Sequence, residues 1–148
     1  MKKNTRRVIW TCVCNALETT EFDQIALHNR KNGKTVVMSC IQYWKLMRKE
    51  KGLSPMANYC RHCRRRMSDP ENPIVGGHVI GFLHMSPRVY ITPMLKGCNS
   101  AGSNLPYFKV RLSDLIPVPK NDNDAILAKK ENKEEIDRQK KIYQQEHP

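Results

Sequence analysis

The cysteines at positions 60, 63 and 98 are the residues whose types and spacing say most about chemistry. Cys60 and Cys63 form a C-x-x-C turn, the spacing that lets two thiolates reach one Zn²⁺ at about 2.3 Å from a tight loop. Cys98 stands beside a predicted helix start, where free amides and the positive end of the dipole favour a thiolate. The alternatives are a thioredoxin-like redox pair and ordinary cysteines. Zinc is favoured over the redox pair, because that motif opens a helix in a βαβ unit and here three arginines follow.

The cellular compartment bears on this chemistry, since the six cysteines could pair as disulfides only in an oxidising environment. Residues 1–7 are basic like the start of a signal peptide, but the apolar stretch Val8 to Val13 is too short to complete one. No apolar run approaches the roughly 18 residues that cross a bilayer. We therefore expect a soluble cytoplasmic protein with reduced thiols and no membrane partner.

Charge indicates the kind of partner. The chain has 26 Lys and Arg against 14 Asp and Glu, a net charge of +12, and such a field attracts phosphate-rich polyanions. Nucleic acid is the predicted partner, with DNA favoured over RNA, and an acidic protein is the alternative. Tyr59, Tyr90 and Tyr107 could stack on exposed bases or simply pack in strands. The predicted nucleic-acid contacts are Arg61, Arg64, Arg65, Arg66, Arg88 and Lys96.

A β-hairpin is predicted to position these residues. The runs Ile74 to Ile80 and Arg88 to Pro93 are rich in β-branched residues and are joined by a short connection. The first run carries His78, and the second leads to Cys98 and a possible helix start. The hairpin would therefore bring the third cysteine back towards the C-x-x-C turn.

The N-terminal third predicts a strand, a hairpin and a helix. Val8 to Val13 is of strand type, and residues 24–28 and 34–38 flank Asn32-Gly33, which suits a tight hairpin turn. Ser39 stands three residues before Gln42, the spacing of a capping box, so a helix is expected from about 40 to 51. We expect these strands to form a small antiparallel sheet.

At 148 residues the chain is too short for a large multidomain enzyme. Composition divides it into residues 1–52, a hairpin-helix region, 53–120, which holds the cysteines and His78, and 121–148. The last part alternates Lys with Glu and Asp, and Asp124 could cap a helix there. Its apolar residues do not line up on one face, so a solvated helix or a partly disordered tail is expected. The predicted fold class is α+β.

The motifs between residues 59 and 118 resemble a known family. C-x-x-C, G-G-H-V, I-T-P, Cys-Asn, F-x-V and L-x-P-V follow one another in this order. The set is similar to the treble-clef zinc modules of the HNH-like, ββα-metal type found in small bacterial and phage proteins. The resemblance implies that residues 53–120 form such a module, with Cys60, Cys63 and Cys98 as ligands of a structural zinc.

One departure from the family concerns the zinc site. Leu95 occupies the position of a fourth cysteine, so three ligands leave the tetrahedron open. Water, or loss of the zinc with repacking around Leu95, would also account for three cysteines. The side chains that could complete the site are His62, His78, His84, Cys40, Cys12 and Cys14.

A second departure concerns catalysis. In the HNH resemblance a strand histidine activates water, while an acidic residue and a helix histidine hold a divalent ion. His78 fits the base, but Gly77 stands in the acidic position and Asn99 is a weak ligand. Without the ion, phosphodiester hydrolysis loses its main electrostatic stabilisation. We therefore expect a non-catalytic nucleic-acid-binding protein. A metal-dependent endonuclease using His78, and a phage-encoded adaptor or inhibitor of an acidic host protein, are the alternatives.

Overall fold

The computed structural model describes residues 8–83 and 86–148, and its architecture is α+β, as predicted. The longer elements are the strands β1 (Trp10–Asn15), β2 (Gln24–His28), β3 (Thr35–Ser39), β4 (Ile74–Gly81), β5 (Arg88–Leu95), β6 (Phe108–Arg111) and β7 (Ile116–Pro117), and the helices α1 (Cys40–Glu50), α2 (Lys96–Ser100), α3 (Lys120–Ala128) and α4 (Lys130–Glu146). Short 3-10 turns lie at Thr20–Phe22, Gly102–Asn104 and Leu112–Asp114. No described helix combines the length and the apolar character needed to cross a membrane.

The predicted local elements of the first 52 residues are confirmed. β2 and β3 pair as an antiparallel hairpin, and Gly33 in its turn has a φ of +68°, which glycine adopts without strain. α1 begins with the expected capping box, in which the Ser39 side chain accepts from the Gln42 amide and the Gln42 side chain accepts from the Ser39 amide. The sequence signals of turn and cap therefore act as expected.

The main sheet has five antiparallel strands in the order β6-β1-β4-β5-β7. The predicted hairpin is confirmed as β4 and β5, which pair from Ile74 with Leu95 to Gly81 with Arg88. The expectation that β1 would join the N-terminal hairpin is wrong, because β1 pairs with β4 and β6 while β2 and β3 form a sheet of their own. The boundary predicted at residue 52 therefore separates strands that are hydrogen-bonded to each other.

The two faces of the main sheet cover different clusters. One face packs against Trp44 of α1, Ile126 of α3 and Ile136 of α4. The other face carries Val79 and Met94, and Cys60 packs against them. Because side chains alternate along a strand, neighbouring residues of β4 belong to different clusters. The candidate site lies on the second face.

The last segment is helical, and the alternative of a partly disordered tail is wrong for residues 120–146. The cap predicted at Asp124 is also wrong, because α3 begins at Lys120 with Pro119 before it. The apolar residues do not form a stripe, as the sequence indicated, and burial is completed by polar side chains. The buried residues of the two helices are Ile126, Asn132, Glu135, Ile136 and Gln139.

Candidate metal centre and basic surface

The three predicted cysteine ligands lie together in space. The Sγ atoms of Cys60, Cys63 and Cys98 all lie within 4.8 Å of one another. Tetrahedral Zn²⁺ with Zn–S bonds of about 2.3 Å holds its sulfur ligands about 3.8 Å apart, so a small adjustment of the thiols would accommodate the ion. All three cysteines are free thiols. The cluster can therefore hold a metal ion, and its sulfur chemistry is compatible with zinc.

Backbone hydrogen bonds build the turn that carries two of these thiols. The Cys60 amide donates to the Arg65 carbonyl at 2.8 Å, and the Arg64 amide donates to the Cys60 carbonyl at 2.9 Å. Arg64 closes the turn with a φ of +67°, in the left-handed region that favours glycine. The Arg61 amide donates to the Pro93 carbonyl at 2.8 Å, which fastens the turn to β5.

The third thiol is positioned by the short helix that follows the β4–β5 hairpin, on the same face of the sheet as the other two. α2 follows directly after β5 and carries Cys98. The Asn15 side-chain amide, at the end of β1, donates to the Cys98 carbonyl at 3.0 Å. The hairpin and β1 therefore hold α2 against the turn. The sequence predicted this role for the hairpin, and the contribution of β1 is added by the structure.

The thiols affect one another's ionisation. Burial and the neighbouring Cys60 and Cys63 raise the pKa of Cys98 to about 12. Burial also acts to raise the pKa of Cys63, but hydrogen bonds from the Arg65 amide and from the other two thiols outweigh it and lower that pKa. Three adjacent thiolates repel one another unless a cation lies between them, which is the situation that a bound metal ion resolves.

The three thiols have no fourth ligand of the usual types in the described part of the chain. Over residues 8–83 and 86–148, no fourth Cys, His, Asp or Glu joins the group, and the buried Leu95 packs in the same cluster. The His62 ring packs edge-on against Phe108 with centroids 4.9 Å apart. Cys12 and Cys14 lie in the cluster on the other face of the sheet. Cys40 lies in that same cluster and His78 faces it, while His84 lies outside the described residues. The described thiols therefore leave one coordination position for water or an external ligand.

His78 is buried on the opposite face of β4. It is 3% exposed, its Nε2 lies 3.7 Å from the Cys40 Sγ, and burial lowers its pKa to about 4. Gly77 faces the other way: a Cβ added there would lie 2.6 Å from Met94 Sδ and 2.9 Å from Asn99 Oδ1. The positions that an HNH-type nuclease would combine, 77, 78 and 99, are therefore not brought together on one face.

Arg61, predicted to contact nucleic acid, is an interior residue. It is 4% exposed, and its Nε lies 3.4 Å from Asp114 Oδ2, an ion pair without hydrogen-bond geometry. Its guanidinium carbon lies 3.8 Å from the Tyr59 ring centroid and 5.4 Å from that of Trp44. Arg48 approaches the same carboxylate at 3.8 Å. Arg61 therefore secures the turn against α1 and is not available to phosphate.

The other predicted basic residues are exposed but do not form one patch. Arg64, Arg65 and Arg66 are adjacent to the thiol cluster. Arg88 begins β5 and Lys96 follows its end, so these two lie about 25 Å apart at the usual rise of a strand. The structure therefore favours the arginines at 64–66 as the basic surface beside the candidate metal site.

Trp10 is an exposed aromatic residue at the start of β1, and its sequence context predicts only a strand position. The guanidinium carbons of Arg64 and Arg111 lie 5.3 Å and 5.4 Å from its ring centroid. The sequence signal for this surface is weak, because Trp10 lies inside an apolar run and Arg111 is distant along the chain. Only the pairing of β1 with β6, which places Trp10 opposite Arg111, brings them together.

Comparison of the chain with models of known protein families, with curated proteins and with solved structures finds no significant match.

Proposed function

We propose that this protein binds nucleic acid through an arginine surface that a zinc-bound turn holds in place. The observation that carries the proposal is that the exposed Arg64 directly follows the candidate ligand Cys63 in one short turn. The third sulfur of the cluster comes from α2. A structural zinc at the thiols would fix the direction in which the arginines at 64–66 point. The order of turn, hairpin and short helix supports the resemblance to HNH-like, treble-clef zinc modules.

Charge supports the choice of partner. The chain carries a net +12, and the arginines at 64–66 are exposed, unlike the paired Arg61. Guanidinium groups bind phosphate oxygens through two parallel hydrogen bonds. DNA is the proposed partner.

We propose binding without catalysis. The candidate base His78 is buried against Cys40, and an acidic side chain at position 77 would require Met94 and Asn99 to move. A general base must come within hydrogen-bonding reach of the water it activates. The geometry therefore favours binding over hydrolysis of the phosphodiester.

The first test is the metal content of the purified protein. We expect one zinc per chain in the wild type, and below about 0.2 in Cys60→Ser and in Cys98→Ser, because loss of one of three thiolates weakens a zinc site severely. Cys12→Ala, which removes a buried thiol on the other face of the sheet, should keep its zinc. Mass-spectrometric metal analysis checks this. Zinc retained in Cys98→Ser would contradict the assignment of the three ligands.

The second test is salt-dependent binding to a labelled 20-base-pair DNA duplex. We expect the combined variant Arg64→Gly, Arg65→Gln, Arg66→Gln to bind more weakly and to lower the slope of log affinity against log salt by about 2 to 3, which corresponds to three lost phosphate contacts. Fluorescence anisotropy between about 50 and 200 mM salt measures both quantities.

A matched control removes the same amount of charge elsewhere. Arg30, Lys31 and Lys34 are exposed at the turn between β2 and β3, and changing all three to Gln should leave most of the affinity and of the slope. Equal losses in the two variants would mean that binding follows net charge alone. Absence of binding to any DNA at low salt would refute the proposed function.

A further inference from the structure

The exposed surface around Trp10 has properties that phosphate binding alone does not require. Trp10 is 44% exposed, whereas Trp44 is 0% exposed. The preceding residues, Val8 and Ile9, are also exposed apolar side chains. An exposed indole beside a strongly basic turn is a feature that points to a ligand with both a flat apolar part and negative charge.

The cations around the indole are close enough to act with it. Arg64 and Arg111 lie at 5.3 and 5.4 Å from the ring centroid, within the range of a cation–π contact. Such contacts restrict the side chains before any ligand arrives, so less conformational entropy is lost on binding. Lys109, two residues from Arg111 on the same strand, lines a small cleft with Trp10. The indole therefore lies among three basic groups.

We propose that Trp10, flanked by Arg64 and Arg111, stacks on an unpaired base, so that single-stranded DNA is the preferred ligand. This inference rests on the proposed function, because Arg64 belongs to both surfaces. Stacking needs a free base face, and within a duplex both faces of each base are covered by neighbouring base pairs. Every base has a π-face, so the site would recognise unpaired nucleotides without sequence specificity.

The two tryptophans permit a direct measurement. The chain contains two Trp residues, and the Trp44 indole is buried with its N–H donating to the Asp114 carbonyl at 2.9 Å. Quenching of tryptophan emission by an oligonucleotide would therefore arise at Trp10. We expect a single-stranded DNA 12-mer to quench the wild type, and to leave the emission of Trp10→Phe, which reports Trp44 alone, nearly unchanged.

Affinity gives a second readout. Removing one base–aromatic stack costs about 1 to 3 kcal/mol, so Trp10→Ala should bind the single strand about 5- to 150-fold more weakly. Trp10→Phe, which keeps an aromatic ring, should lose less, and circular dichroism verifies that both variants are folded. An abasic 12-mer has the phosphates without the bases, so it should bind the wild type more weakly and should not respond to Trp10→Ala.

The outcomes separate the inference from the proposed function. Equal binding of single-stranded, duplex and abasic DNA, with no effect of Trp10→Ala, would overturn the stacking site while the arginine surface stands. Loss of binding to every DNA at low salt would overturn both. Quenching by a poly-glutamate peptide but not by DNA would assign the surface to an acidic protein and overturn the inference.

Discussion

His78 illustrates how burial changes the chemistry of a residue. In the sequence it stands in a G-G-H-V motif and is a candidate base. In the structure its nearest polar partner is the Cys40 thiol, whose own pKa burial raises to about 12. Two neutral groups facing each other in a core cost little, whereas an imidazolium in this place would be poorly solvated. The stability of the folded protein should therefore depend on pH through His78.

Acid should destabilise the fold through this histidine. Burial lowers the pKa of His78 to about 4, against about 6.5 in the unfolded chain, so the unfolded state holds more protons between these values and stability falls as pH falls from 6.5 to 4. Protonation of this group alone should lower the free energy of unfolding by about 2 kcal/mol between pH 7.5 and 5.0. His78→Leu should lack that part of the loss, as measured by urea unfolding at both pH values.

The exposed His28 on β2 offers the comparison for that experiment. Its side chain is hydrogen-bonded to the Thr35 hydroxyl at the surface, and His28→Gln should retain the pH dependence of the wild type. An identical loss in the wild type and in His78→Leu would show that His78 has no part in the acid sensitivity.

Arg61 and Arg64 show why residue type alone did not assign the basic surface. Both belong to the same turn, yet Arg61 is paired with Asp114 and Arg64 is exposed beside Trp10. Asp114 lies more than fifty residues further along the chain, so the pairing follows from the path of β6 and β7 and not from local sequence. The spacing of Cys60 and Cys63, by contrast, is a local property, and it predicted their proximity correctly.

At the level of elements, a glycine determines how closely α1 approaches the sheet. A Cβ added at Gly76 would lie 2.6 Å from the Ile41 backbone nitrogen and 2.7 Å from the Cys40 carbonyl carbon. Backbone atoms at the start of a helix cannot give way as the end of a side chain can. The contact keeps Cys40 against His78 and the rest of the core.

Gly76→Ala should therefore destabilise the protein by about 1 to 3 kcal/mol through overpacking. Gly97 in α2 is the matched control, because a Cβ there would meet only the Asn72 side chain at 3.4 Å, an ordinary contact. Gly97→Ala should stay within about 1 kcal/mol of the wild type. Urea unfolding of the two variants compares them, and equal stabilities would contradict the close approach of α1.

Elements that are determined by residues close in sequence were predicted correctly, whereas those that depend on distant strands were not. The turn at Gly33, the cap at Ser39 and the β4–β5 hairpin follow from residues close in sequence, and each was predicted. The place of β1 between β4 and β6 depends on pairing with strands at residues 74–81 and 108–111. An apolar strand sequence does not specify its partners, so the expectation that β1 joins the N-terminal hairpin was incorrect, although β2 and β3 do form a sheet of their own.

On the scale of the whole molecule, α4 is hydrogen-bonded to the segment that follows β1. The Asn132 Oδ1 accepts from the Leu17 amide at 2.6 Å, and its Nδ2 donates to the Leu17 carbonyl at 3.0 Å and to the Ile126 carbonyl at 2.9 Å. The Gln139 Oε1 accepts from the Tyr107 amide just before β6. Buried amides therefore replace the apolar stripe that the helix lacks, and they join α4 to the loop after β1 and to the segment before β6.

Because the first strand, the hairpin and α4 share these contacts, the chain should unfold as one cooperative unit. Asn132→Ala would leave the Leu17 amide and carbonyl without their partner and should cost about 2 to 4 kcal/mol, whereas the exposed Asn121→Ala should change stability by less than about 0.5 kcal/mol. In Trp10→Phe, whose emission reports the buried Trp44 alone, tryptophan emission and far-ultraviolet circular dichroism should report coincident urea transitions. A helical signal lost well before the Trp44 signal would mean that α3 and α4 unfold independently, and the anchoring role of Asn132 would then be wrong.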